Sequence, residues 1–163
     1  MSIHQLLFDI DRVIKDISDN FELYSSIKNL LQAYNSENII IQCNEYIEKN
    51  NSKKEKIIVH KVFYEKIYLS ENKNYSVILI KWNHNSVSRI HDHPDKGCIF
   101  KLLKGKLIEN CFDNNIDFLS NSILKKDDIN YRIGNKILHQ IIALDESISL
   151  HVYIPGNYTP NYI

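Results

Sequence analysis

The sequence has 163 residues, enough for a single domain (1–163) that buries about two-thirds of the surface its unfolded chain exposes. Its 20 basic and 20 acidic residues balance, it shows no secretory signal, and its apolar runs are too short to span a bilayer. We expect a cytoplasmic monomer without a nucleic-acid or membrane partner. The three cysteines are widely spaced and form no CxxC pair, which argues against a disulfide framework or a thiolate zinc site.

Residues 1–52 are predicted to form a helical N-terminal segment. Apolar side chains recur every three or four residues from Leu6 to Ile17 and again from Leu23 to Tyr34. Ser36 is predicted to cap a third helix, because its hydroxyl can accept a hydrogen bond from a free amide of the first turn. We expect the apolar faces of these helices to pack against the core.

From about residue 55 onward, short β-branched and aromatic runs separated by turn residues predict strands. The lysine-rich residues 53–56 before them are expected to form a solvated turn. Helices followed by many short strands favour a mainly β protein, closed or sandwiched over 55–163, with the helices packed outside. The predicted strands are 57–69, 75–82, 98–103, 106–112, 118–124, 129–133, 137–144 and 147–154.

Three histidines stand where a β-structure could gather them around a metal. Side chains alternate between the two faces of a strand, so His91 and His93 point to one side and Asp92 to the other, where it is expected to make a structural hydrogen bond. His139 is the third predicted ligand. Three neutral imidazoles leave coordination positions open, as in catalytic metal sites, but this pattern alone does not separate zinc from iron.

Ser149, His151 and Tyr153 share one strand face by the same alternation. Ser149 can orient the imidazole of His151, which can in turn hold the phenol of Tyr153 near the metal. A serine hydrolase is disfavoured, because a strand carrying all three residues lacks the sharp turn and the oxyanion donors of acyl transfer.

The histidine run 91–93, followed after four residues by Cys98 and after six more by Gly105, resembles the first cupin motif with cysteine in place of the usual metal-binding glutamate. Together with His139 and the run 149–155, it is similar to the cysteine dioxygenase family. The resemblance implies a cupin barrel, also called a double-stranded β-helix or jelly roll. It also implies one Fe(II) held by the three histidines, and an enzyme that adds O₂ to a small thiol, with L-cysteine as the leading candidate, to give a sulfinic acid.

Further site residues follow from the same resemblance. Cys98 is expected to be joined to Tyr153 by a thioether beside the metal. Family members that oxidise cysteine hold the substrate carboxylate with an arginine two residues after a tyrosine, and here Tyr64 and Lys66 take those places if the next turn is one residue shorter. Without that gap, Glu65 falls at the arginine position. A lysine binds a carboxylate as a point charge and lacks the two-pronged geometry of arginine.

The substrate is therefore left open. A sister enzyme that oxidises 3-mercaptopropionate, a cysteamine-like amine or a biosynthetic thiol is the first alternative. A non-catalytic cupin that binds a small ligand is the second alternative, although a binding module does not require an open metal face.

Overall fold

The computed structural model describes residues 2–163, which form three helices followed by nine strands in two antiparallel sheets. The helices are α1 (Ile3–Asp16), α2 (Asn20–Ala33) and α3 (Ser36–Asn50). The strands are β1 (Lys54–Val59), β2 (Val62–Glu71), β3 (Ser76–Trp82), β4 (Gly97–Lys104), β5 (Lys106–Phe112), β6 (Phe118–Lys125), β7 (Ile129–Arg132), β8 (Leu138–Ala143) and β9 (Ser147–Ile154). The larger sheet has the order β1-β2-β3-β9-β4-β7 and the smaller β6-β5-β8.

A side chain caps the start of each helix. Ser2, Asp19 and Asn35 each accept a hydrogen bond from the backbone amide three residues later. The prediction that Ser36 caps α3 was wrong by one residue: Ser36 is the first residue of the helix, and its hydroxyl bonds to the carboxylate of Asp127. Asparagine and serine are both good caps, so two such neighbours leave the boundary undecided in the sequence.

The predicted strand 57–69 is in fact a hairpin of β1 and β2, and the lysine-rich run expected to form a turn lies mostly in β1. The turn consists of His60 and Lys61, whose φ angles are 51° and 68°. Two central residues with positive φ form the kind of tight turn that usually carries asparagine or glycine, so the sequence gives little sign of it. β1 is also hard to predict because it is largely exposed. Its residues do not alternate between buried apolar and exposed polar positions.

The larger sheet is apolar on both faces, and β3 shows the reason. Val77 and Leu79 pack outward against the helices, whereas Ile78, Ile80 and Trp82 pack inward. The inward residues meet side chains of the smaller sheet in an inner core. All three cysteines are buried and free. The inner face of β3, β4 and β9 therefore borders the interior where the histidines gather.

One buried cation joins the helices to the sheet. The Nζ of Lys101, on β4, donates hydrogen bonds of 2.8 Å each to the carbonyl oxygens of Leu31 and Tyr34 at the end of α2. The side chain is almost fully buried, and burial lowers the pKa of Lys101. Its ammonium thus satisfies carbonyls that a helix end leaves without a partner.

Candidate metal centre

His91, His93 and His139 come together as predicted, with one nitrogen of each ring within 4.8 Å of the others. His139 lies on β8. His91 lies in the segment between β3 and β4 and pairs with His139 through two backbone hydrogen bonds of 3.0 Å. The backbone itself therefore fixes two of the three rings side by side.

The hydrogen bonds of these rings leave nitrogens free to bind a cation. Nδ1 of His91 lies 2.7 Å from the carbonyl oxygen of Arg89, and Nδ1 of His139 lies 2.7 Å from a carboxylate oxygen of Glu109. Because both partners only accept, each Nδ1 carries the proton and each Nε2 presents a lone pair. The two Nε2 atoms nevertheless face each other at 3.0 Å, which is repulsive unless a cation lies between them.

The ring of His93 gives independent evidence on whether the site fits a metal ion. Both nitrogens of His93 are buried and have no hydrogen-bond partner within residues 2–163. A buried polar atom without a partner is costly, and metal coordination removes the cost. The donor set therefore fits a metal ion.

Burial keeps the three imidazoles neutral, as metal ligands must be. It lowers the pKa of His91 to about 4. Burial, together with repulsion from the neighbouring rings, lowers the pKa values of His93 and His139 well below the usual range. At neutral pH each ring therefore keeps one unprotonated nitrogen, which is available to bind a cation.

Glu109, on β5, orients the ring of His139, and the sequence analysis missed it. Its carboxylate is fully buried and also accepts hydrogen bonds from Nε and Nη2 of Arg132 and from the side-chain amide of Asn130. The ion pair with Arg132 offsets its charge. A carboxylate behind a ligating histidine fixes the ring orientation and raises the basicity of the ligand.

Strand alternation in the sequence could have predicted that Glu109 is buried and has a partner. Leu107, Glu109 and Cys111 fall on one face of β5, and the structure buries all three. A carboxylate on an otherwise apolar strand face predicts a buried partner, because an unpaired charge is not tolerated there.

Ser149, His151 and Tyr153 share the inner face of β9, but the predicted relay forms only in part. The indole N–H of Trp82 donates to Oγ of Ser149 at 2.9 Å, and that Oγ lies 2.7 Å from Nε2 of His151. An indole can only donate, so Oγ of Ser149 accepts from Trp82 and keeps its own proton and a second lone pair for the imidazole of His151.

Nδ1 of His151 faces Sγ of Cys98 at 3.7 Å, and the expected bond from His151 to the phenol of Tyr153 is not made. Instead the two rings lie parallel, with centroids 5.8 Å apart. Cys98 and Tyr153 are directly opposite each other on β4 and β9, and their side chains contact. Burial raises the pKa values of both, so the thiol and the phenol keep their protons at neutral pH.

Two cavities with shared lining residues lie at the site. The inner one, about 20 Å³, is lined by the three rings and by Tyr64, while the outer one is about 240 Å³. Lys66 and Tyr153 line both cavities. Glu65, the other residue at the arginine position, is on the opposite strand face and lines neither. Burial lowers the pKa of Lys66, although Glu55 opposite it on β1 acts in the other direction.

Asp92 makes the structural hydrogen bonds predicted for it, and they fasten residues 156–163, here named the strap. The carboxylate accepts bonds from the hydroxyl of Tyr158, from the backbone amide of Asn161 at 2.9 Å and from its side-chain amide at 2.8 Å. Burial alone would raise the pKa of Asp92, but these hydrogen bonds outweigh it and lower the pKa. The sequence did not indicate that the strap returns to the site.

Most of the chain matches one family of known proteins. The family model described as cysteine dioxygenase type I matches residues 21–161. Cysteine dioxygenase type 1 of Rattus norvegicus and that of Mus musculus are each 33% identical to the chain over 94 residues, which is 52% of this chain and 46% of the relative. The chain thus spans about half the length of the curated relatives it matches.

Solved structures support the predicted cupin fold. A single-residue variant of oxalate decarboxylase from B. subtilis has a TM-score of 0.51 and 13% identity over 68% of this chain and 30% of that one. KdgF from Halomonas sp. also has a TM-score of 0.51 and 13% identity, over 63% of this chain and 87% of that one. At this identity the likeness concerns the fold alone. Within residues 2–163, no helix has the length and apolar character needed to cross a membrane.

Proposed function

The chain belongs to the cysteine dioxygenase type I family, and from this premise we propose that it is an Fe(II) thiol dioxygenase. The reaction is RSH + O₂ → RSO₂H, in which both oxygen atoms are added to sulfur. The observation that carries the proposal is the convergence of three neutral imidazoles, with unpaired nitrogens, on a pocket that also holds an ammonium group. We also propose a reducing cytoplasm as its compartment, which suits three free thiols.

His91, His93 and His139 would hold the ion, which when bound supplies a site for the substrate thiolate and the activation of O₂. The ligand set contains no carboxylate, and Arg132 offsets the charge of Glu109 behind it. The positive charge of the site is therefore left for an anionic substrate.

The residues around the histidines position the substrate. Lys66, at the junction of the two cavities, is placed to pair with a substrate carboxylate, and Tyr64 stacks on Trp82 at a centroid distance of 4.5 Å to form the adjoining wall. Tyr153 keeps its phenolic proton and can donate it in a hydrogen bond to a bound oxygen or substrate atom. Holding the thiol in place makes proximity the main contribution of these residues.

The direct pairing of Cys98 and Tyr153 supports the proposed thioether between them. Its formation breaks the S–H bond and one ring C–H bond and makes one C–S bond. Two protons and two electrons pass to O₂ as the oxidant, which is reduced to hydrogen peroxide. Ser149 and His151 would then fix the sulfur side of the link, because Nδ1 of His151 faces Sγ.

L-Cysteine is the leading substrate, and Lys66 is the observation that favours a second candidate. A single ammonium group fits any small thiol with a carboxylate, including 3-mercaptopropionate, because it lacks the fixed geometry of a guanidinium.

The test is metal analysis followed by oxygen uptake. Protein loaded anaerobically with Fe(II) is supplied with L-cysteine, 3-mercaptopropionate or cysteamine, and the product is analysed after reaction under ¹⁸O₂; zinc-loaded protein is the control. We expect about one iron per chain and a sulfinate carrying two labelled oxygens. Iron binding without oxygen uptake for any thiol would instead indicate a non-catalytic binding module.

A further inference from the structure

The strap closes the pocket from outside and is fixed at both ends. At its start, Gly156 packs so closely that an added Cβ would lie 1.7 Å from the carbonyl oxygen of Asn72. Near its end, the backbone amide of Ile163 donates to the carbonyl oxygen of Ile90 at 2.9 Å, and Asp92 fastens Asn161 as described above. The strap therefore has a defined path across the pocket.

This path places Tyr162 beside a proposed metal ligand. Tyr162 forms an isolated β-bridge with His91, and the centroids of the two rings are 5.8 Å apart. The guanidinium carbon of Arg89 lies 5.3 Å from the centroid of the tyrosine ring. Tyr162 lines the inner cavity together with Pro160, yet its side chain remains about one-third exposed, at 36%. One part of the ring therefore faces the histidines and another faces solvent.

The size of the inner cavity indicates what Tyr162 does. The inner cavity is small, about 20 Å³, so its walls limit the size of a molecule that binds beside the histidines. The outer cavity is larger, and Lys66, Tyr153 and Pro160 line both cavities. Of the residues that line the inner cavity, Tyr162 and Pro160 belong to the strap rather than to the sheets.

We propose that Tyr162 is a specificity-determining residue that contacts the bound thiol and limits its size, and that Asn161 and Asp92 position it by fastening the strap. This inference rests on the proposed function, since it names the part of that site which selects the substrate. The aromatic ring acts as a wall, so a small thiol packs under it and a longer thiol is excluded by it.

The selectivity test compares Tyr162→Ala with Tyr162→Phe and with Ile163→Ala. Ile163 is the control, because it is the neighbouring residue of the strap and its side chain is 54% exposed. For each Fe(II)-loaded protein, kcat/KM is measured with L-cysteine and with the longer thiol L-cysteinylglycine. Tyr162→Ala should shift the ratio of the two values towards the longer thiol by about ten-fold or more, mainly through KM. Tyr162→Phe and Ile163→Ala should retain the native ratio.

Two further measurements do not depend on turnover. Anaerobic calorimetry gives the affinity of each thiol for the Fe(II)-loaded proteins, and the affinity ratio should shift in the same direction as kcat/KM. In Asn161→Ala, amide hydrogen exchange in residues 157–163 should accelerate by about ten-fold, because the strap loses a charge-assisted hydrogen bond.

An unchanged ratio in Tyr162→Ala, in a protein that oxidises thiols, would overturn this inference and leave the proposed function standing. A native protein that binds thiols with the predicted selectivity but takes up no O₂ would refute the proposed function and keep the inference. Binding of neither thiol would overturn both.

Discussion

Replacing Glu109 by Gln tests whether the buried carboxylate orients the metal ligand His139. Glutamine keeps an oxygen that can accept the Nδ1 proton but lacks the charge that pairs with Arg132. The side chains of Glu109 and Arg132 are 0% and 28% exposed, so the arginine would keep a largely buried charge without its partner. Breaking a buried pair costs about 3 to 5 kcal/mol, and the partial exposure of Arg132 favours the lower end, near 3 kcal/mol.

The effect on the metal is expected to be separate from the effect on stability. Removing a carboxylate behind a histidine ligand weakens metal binding by about ten- to a hundred-fold. Iron affinity is measured by competition with a chelator, and the free energy of unfolding by urea titration of metal-free protein.

The double variant Glu109→Gln, Arg132→Gln distinguishes the two effects. It removes the unpaired charge, so more than half of the lost stability should return, whereas iron affinity should stay low because His139 still lacks the carboxylate. Native iron affinity in the single variant would refute the orienting role. A double variant as unstable as the single one would show that the unpaired arginine is not the cause.

His93→Ala should lose stoichiometric iron and nearly all oxygen uptake while its circular dichroism stays native, since a three-ligand site has no spare ligand; full activity would remove this residue from the site. Cys98→Ser should keep iron and part of the activity, because the thiol is proposed to hold Tyr153 and not the metal; loss of iron on metal analysis would make it a ligand. Lys66→Met should lower kcat/KM for L-cysteine by about ten- to a hundred-fold and for cysteamine far less, as measured with an oxygen electrode, whereas Lys81→Met, whose ammonium bonds to a side chain of α3, should change neither. Equal effects on both thiols would place Lys66 outside substrate binding. The free energy of unfolding of metal-free protein should fall by about 2 kcal/mol between pH 7 and pH 5 through His91 alone, because the unfolded chain takes up a proton near pH 6.5 and the folded chain only near pH 4. The same titration of His91→Gln should show a smaller loss, and an equal loss would contradict the assignment.

Strand alternation made the core of the site predictable. It placed His91 with His93, and Ser149 with His151, on shared faces, and the structure confirms both placements. A period of two is fixed by the backbone geometry of a strand, so it does not depend on contacts with the rest of the chain. The family resemblance added the inner position of Cys98, which no local pattern requires.

The features that the sequence missed depend on contacts between distant segments. The strap reaches the pocket because Asp92 accepts bonds from Asn161, and residues 69 positions apart give no local signal. Arg132, the partner of Glu109, is 23 positions away and lies on a different strand, so it gives no local signal either. The turn at His60 and Lys61 was missed for a different reason, since neither residue is typical of a positive φ. The compartment, the monomeric state and the substrate stay predictions.

The lysine that joins α2 to β4 also bears on how the chain folds. When the barrel opens, the carbonyl oxygens of Leu31 and Tyr34 lose the ammonium of Lys101. When the helices detach, that ammonium loses both carbonyl acceptors and keeps the carboxylate of Asp127, 3.9 Å away. Each layer therefore carries a polar group that hydrogen-bonds to the other layer, and separating them costs more than the apolar contact alone. The helices and the barrel are in this sense one cooperative unit. A helical fragment alone would expose the two carbonyl oxygens, and the barrel alone would expose the ammonium group that binds them.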